Sequence, residues 1–245
     1  MSGRPPSLES LVESGDLSLE VLHPGGLDIT AELAELCGIG SDSVVLDIAS
    51  GTGESACYLA ERFAAEVFGV DLSHRMVARA AQKARERRLK LGFLRADAHH
   101  LPFRNGSFDA AISECTLSLL RKETAIGEMI RVVKSGGRVG IHEICWKEDA
   151  PEELKRELEE IEGERPETLR KWKGLLEVGG LDDVHVVDRS GLLARWFRDS
   201  KKRLGQGGAT AACSSPSPAA PGSRSRASRH RSSRTGECAG RRPPA

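Results

Sequence analysis

Val45-Leu46-Asp47-Ile48-Ala49-Ser50-Gly51-Thr52-Gly53-Glu54 decides the reading of this chain. An apolar run of strand length ends in a glycine-rich turn, and Ser55 to Ala64 then reads as a helix. Glycine lets a backbone turn sharply and approach a ligand with no Cβ between them. The helix that follows offers free N–H groups at its start.

The same alternation spreads outward from this stretch. Ser43 to Ile48 is the first strand and Glu66 to Val70 the second, ending at Asp71. Ser73 caps a helix whose inner face carries Met76, Val77, Ala80, Ala81 and Ala84. Its other face, with Arg75, Arg79, Lys83, Arg87 and Arg88, is expected to be solvated. Leu91 to Ala96 ends at Asp97, Phe108 to Ser113 is a fourth strand, and Arg138 to Glu143 a fifth after a helix over Glu123 to Val133. Two amphipathic segments, Pro151 to Ile161 and Glu167 to Val178, precede a sixth strand at Val184 to Val187. Upstream, a helix begins near Asp28 and stops at Gly38. Strands alternating with helices give an α/β fold, a doubly wound and mainly parallel sheet covered on both faces. Ligands of such sheets bind at the carboxyl ends of the strands, where strand order reverses. Asp71 and Asp97 both stand on that edge, and the Asp71 carboxylate can accept hydrogen bonds from two vicinal ribose hydroxyls. To this point any adenosine-containing cofactor fits.

Gly51-Thr52-Gly53-Glu54-Ser55-Ala56 also satisfies the G-x-G-x-x-A of nicotinamide-binding proteins. Two features weigh against that cofactor. Asp47 and Glu54 put negative charge beside the loop, which disfavours a pyrophosphate and tolerates an ammonium group. In addition, Asp97-Ala98 is followed by Leu101-Pro102-Phe103 and then Ser107-Phe108-Asp109.

With those blocks in place, residues 44 to 143 resemble class I S-adenosylmethionine-dependent methyltransferases of the ubiquinone/menaquinone-biosynthesis type. The matching blocks are VLDIASGTGESA, VFGVDLSHRMV, LRADAHHLPFRNGSFDAAIS and EMIRVVKSGGRVGIHE, and the span that holds them is about two fifths of the chain. The resemblance implies a Rossmann-like fold, S-adenosyl-L-methionine as cofactor and a small-molecule methyl acceptor. It also implies roles. Asp47 and the backbone of Ala49, Ser50, Gly51, Thr52 and Gly53 hold the methionine part. Asp71 binds the ribose, Leu72 and Met76 pack on the adenine, and Asp97 with the Ala98 N–H reads its edge. Glu114 lies near the transferable methyl. His142, at the end of the fifth strand, and His23, in a lead-in that closes over the cofactor, are the catalytic candidates beside Glu114. His99 and His100 read as loop contacts.

Two alternatives stay open. Ser113-Glu114-Cys115-Thr116-Leu117-Ser118-Leu119 resembles the segment that carries one catalytic cysteine in arsenite methyltransferases, with Cys145 as its partner candidate. A non-catalytic homologue that keeps only the cofactor site is the other.

Composition bounds the rest. Lys plus Arg is 36 and Asp plus Glu is 36, so overall charge makes no case for a nucleic-acid binder. No long apolar run crosses a membrane, and the polar N-terminus does not read as a secretory signal. The six cysteines form no C-x-x-C pair, so no metal site is expected and a cytoplasmic setting is. From Ala209 onward there is no Val, Ile, Leu, Met, Phe, Trp or Tyr. That composition predicts a disordered basic tail, capable at most of a weak nucleic-acid contact. The expected organisation is a lead-in and lid over 1–40, the cofactor core over 41–148, substrate-side helices and the sixth strand over 149–204, and the tail over 205–245. Leu192 to Arg203 reads as a helix. With no apolar run after it, the sheet is expected to lack its usual last strand.

Overall fold

The computed structural model describes residues 23–193 and 235–243. Helices are α1 (Leu27–Leu36), α2 (Glu54–Phe63), α3 (His74–Glu86), α4 (Lys122–Val132), α5 (Glu152–Glu162) and α6 (Leu169–Val178). Strands are β1 (Val44–Ile48), β2 (Glu66–Asp71), β3 (Gly92–Arg95), β4 (Phe108–Glu114), β5 (Val133–Trp146), β6 (Glu167–Thr168), β7 (Asp182–Asp188) and β8 (Thr235–Arg241).

The sheet runs β3-β2-β1-β4-β5-β8-β7, with β6 paired to the end of β5. β1 to β5 are parallel neighbours, as the alternating pattern requires. Strand order reverses between β1 and β4, and the register there places Ile48 beside both Val70 and Ser113. Glu114 and His142 are direct neighbours across β4 and β5. The switch point therefore carries Asp47, Asp71, Glu114 and His142 along one rim.

Both faces are covered. Ile126, Met129, Trp172 and Leu176 of α4 and α6 bury one face with Leu46 and Ile141. Leu33 and Ala34 of α1 and Ala56 and Leu59 of α2 bury the other with Val45 and Ile112. Ser73 caps α3 by accepting from the Met76 N–H at 3.4 Å, and Met76, Ala80 and Ala84 are its buried residues. Val77 and Ala81 are only half-buried.

The sheet does not lack its last strand. β8 lies antiparallel between β5 and β7, pairing Arg138↔Arg241 through Ile144↔Thr235 on one side and reaching Asp188↔Gly236 on the other. Hydrophobic content could not reveal it, because the slot takes small residues. Cys238 and Ala239 are fully buried, and a Cβ at Gly240 would stand 2.9 Å from Leu181 Cδ1. Between two existing strands, backbone ladders on both edges do the holding. Beyond the strand, Arg242 N–H donates to Gly137 O and its carbonyl accepts from Gly136 N–H, each at 2.9 Å. Its guanidinium donates to the carbonyls of Arg131 and Val133. The lead-in before His23, the helix expected beyond Leu193 and the tail over 205–234 lie outside the described residues.

Candidate functional site

The loop after β1 is built by three left-handed residues in five positions: Ala49 (φ 57°), Gly51 (φ 51°) and Gly53 (φ 76°). A Cβ at Gly51 would meet nothing within 4 Å, so the loop faces open space there. Ser50 N–H donates to Val70 O (2.9 Å), and Gly53 N–H to Ser50 O (2.8 Å). Asp71 pins the turn, accepting from Gly51 N–H at 2.9 Å and from Ser73 N–H at 2.8 Å. The N–H groups of Ser50, Gly51 and Gly53 thus serve the chain itself, whereas a phosphate would need them turned outward.

Beneath the loop, Asp47 is buried, and its Oδ2 has no hydrogen-bond partner; neither has the buried Ser50 Oγ. Burial pushes the Asp47 carboxyl well above the carboxylate range, and the charges of Glu114 and Asp71 push it the same way. An unsatisfied buried carboxyl next to two others is a place where an ammonium group is stabilising. The residues present therefore fit the amino-acid end of an adenosyl-methionine ligand.

Glu54 corrects part of the charge argument. It accepts from Lys83 Nζ at 2.7 Å and from Arg87 Nη2 at 2.7 and 2.8 Å. These bonds outweigh burial and hold its carboxyl below the ordinary range. Its charge is thus compensated by Lys83 and Arg87, and it carries no case against a pyrophosphate. Lys83 and Arg87 accordingly turn inward from the face expected to be solvated.

On the far side of Asp71, Leu72 is 65% exposed while Met76 is buried. An exposed leucine beside the Asp71 carboxylate offers an apolar surface at the rim. Asp97 accepts from the His99 backbone N–H (2.9 Å) and from His99 Nδ1 (2.6 Å). Since His99 Nε2 accepts from Arg121 N–H at 3.0 Å, the ring proton sits on Nδ1. The His99 backbone bond, followed by its side chain, keeps the Asp97 carboxyl low. His99 is a loop contact as expected, His100 lies 3.6 Å from Asp97, and Ala98 is half-buried.

Glu114, His23 and His142 converge, although they come from three separate elements. The Glu114 side chain, 5% exposed, accepts from Thr30 Oγ1 (3.0 Å to Oε1) and from Ser55 Oγ (2.7 Å to Oε2). His23 Nε2 stands 3.3 Å from Oε2, an ion-pair distance without hydrogen-bond alignment. The two imidazoles meet edge to face at 5.4 Å. Burial pushes the Glu114 carboxyl up, but His23, His142 and Ser55 bring it down to about 2. Burial lowers His23, yet Glu114 outweighs it and raises the ring overall. His142 is lowered to about 4 by burial and then by the charge of His23. Its Nδ1 faces Cys115 Sγ at 3.9 Å, and its Nε2 is buried without a partner. Burial pushes the Cys115 thiol well up, so it is no ready thiolate for an arsenical.

Sequence reasoning missed Thr30, Ser55 and Glu143. Glu143 Oε1 accepts from Thr116 N–H (2.9 Å) and Leu117 N–H (2.7 Å), anchoring the chain as it leaves β4. Burial drives its carboxyl up to about 8 against those donors. A second polar residue directly after His142, within the otherwise apolar stretch Val139 to Cys145, was the available signal.

Comparison with known proteins bears on the family and the fold. A family model described as "Methyltransferase domain" matches residues 45–137. A Haemophilus influenzae protein of uncharacterised function is 31% identical over 66% of this chain and 68% of its own length. A demethylmenaquinone methyltransferase of Thermus thermophilus is 45% identical over 40% of this chain, which spans 46% of that enzyme. Among solved structures, phosphoethanolamine N-methyltransferase 2 of Haemonchus contortus, in complex with S-adenosyl-L-methionine, superposes with a TM-score of 0.69 at 22% identity. That match covers 76% of this chain and 44% of the other. Among the described residues no helix is long and apolar enough to cross a membrane.

Proposed function

Because the chain belongs to the class I S-adenosylmethionine-dependent methyltransferases, we propose that it catalyses in-line methyl transfer to a small-molecule acceptor held beside Glu114 and His142. The observation that carries this reading is the polar floor under the glycine loop. Asp47 Oδ2 and Ser50 Oγ are buried and unpartnered where an ammonium group would satisfy them. Asp47 and the Ala49–Gly53 loop would hold the methionine part, Asp71 the ribose hydroxyls, and Leu72, Met76, Asp97 and Ala98 the base. Bound there, the cofactor supplies an electrophilic methyl on a sulfonium, already a strong leaving group. The chain's task is then alignment and exclusion of water, which can account for most of the rate. Thr30 and Ser55 fix the Glu114 carboxylate, and His23 covers it. His142 presents an unpartnered Nε2 on the same side, available to an O–H or N–H of the acceptor.

The test is label transfer from methyl-labelled S-adenosylmethionine into a panel of quinols, amines and arsenite, with S-adenosylhomocysteine measured alongside. Label in one acceptor class with stoichiometric product supports the proposal. Tight cofactor binding with no turnover on any acceptor contradicts it and favours the non-catalytic alternative.

A further inference from the structure

We propose that His23, Glu114 and His142 form a binding site for one divalent first-row metal ion of the kind that accepts imidazole and carboxylate together. The inference goes beyond methyl transfer and does not depend on it. One ligand atom from each residue lies within 4.8 Å of the other two. The closest pair, His23 Nε2 and Glu114 Oε2, is 3.3 Å apart. Two ligands on one zinc-like ion stand about 3 to 4 Å from each other, given metal–ligand bonds near ~2.1 Å.

Three further observations point to a cation. Both histidine Nε2 atoms are buried and lack a hydrogen-bond partner. Native interiors rarely leave such groups unsatisfied, and two of them facing one carboxylate form a donor set rather than a packing accident. Glu114 is also oriented from behind by Thr30 and Ser55, the outer-shell support that ligating carboxylates receive. Cys115 Sγ sits on the Nδ1 side of His142, so that ring presents Nε2 to the cluster. Two nitrogens and a carboxylate favour Zn²⁺, Co²⁺ or Fe²⁺ over Mg²⁺ and Ca²⁺. In the chain as described, the His23–Glu114 contact occupies the same atoms, and an ion would replace it. Three protein ligands leave coordination positions for water or an acceptor oxygen. No spacing motif could announce the site, because its members stand at positions 23, 114 and 142.

The test is cobalt titration of the full-length chain after chelator treatment, without methyl donor. One equivalent of Co²⁺, with visible ligand-field bands that one equivalent of Zn²⁺ abolishes, is expected. His23→Ala and His142→Ala should each remove the bands, and Ser55→Ala should weaken uptake about 10- to 100-fold. His185→Ala, at an exposed histidine on β7, should leave uptake unchanged. Anomalous scattering from cobalt-loaded crystals of the parent locates the ion even if a variant misfolds. A peak between the three side chains supports the site. No stoichiometric uptake, or an ion located elsewhere, overturns it.

Discussion

Asp47 and Glu54 flank the same loop, and the structure treats their charges in opposite ways. Glu54, on the outer side, meets Lys83 and Arg87 and ties α2 to α3. Asp47, on the inner floor, has an Oδ2 that meets nothing. The outer acid holds the scaffold, whereas the inner one keeps a buried oxygen without a hydrogen bond, the feature on which the proposed ammonium contact rests. The same contrast separates Glu128, bonded to Arg131 and to Leu101 N–H, from the His23–Glu114–His142 cluster with its unpartnered nitrogens. Sequence shows acids beside a glycine loop; only the structure shows which of them are paired with basic side chains.

Substitutions can break or sharpen this division. The largest effect is expected at Asp71, which pins the loop and is the proposed partner of the ribose. Asp71→Ala should weaken cofactor binding on the order of 100-fold by calorimetry, the loss of two charge-assisted hydrogen bonds. Glu54→Gln should instead cost about 2 kcal/mol of stability in urea, since it removes the carboxylate that pairs with both Lys83 and Arg87. Gly240→Val should cost about 1 to 3 kcal/mol, because its side chain would collide with Leu181; an unchanged unfolding midpoint would argue that β8 is not in its slot. The smallest effect is the pH profile. The Glu54 and Glu128 carboxyls are held below their ordinary range by their basic partners. Their contribution is complete above the unfolded value near ~4.3 and is lost as pH falls through the lower folded values. The difference in urea midpoint between the parent and Glu54→Gln should therefore stay level from neutral pH to about 5.5 and shrink below about 4.5.

The parallel half of the sheet was legible because each of its strands is an apolar run closed by a polar residue at the rim. Val45 to Asp47, Val67 to Asp71 and Phe108 to Glu114 all read this way, and each lies where the pattern put it. β8 was not legible. Thr-Gly-Glu-Cys-Ala-Gly-Arg carries no strand signal, and its place follows from backbone pairing on two edges and from crowding that admits only small residues. Within the site, the rim acids were readable from their positions at strand ends. The roles of Thr30 and Ser55 were not, because a hydroxyl on a helix reveals its partner only after the helix is packed. Nor could the charge of Glu54 be judged before Lys83 and Arg87, about thirty residues further on, were seen to reach it.

The account rests on the inner floor being the ligand site and the outer flank being scaffold. Parallel calorimetric titrations of S-adenosylmethionine into the parent, Asp47→Asn and Glu54→Gln test this most directly. One site per chain is predicted, with affinity reduced about tenfold in Asp47→Asn, the loss of one charge-assisted contact, and unchanged in folded Glu54→Gln. No heat of binding in the parent, or a greater loss in Glu54→Gln than in Asp47→Asn, would contradict it.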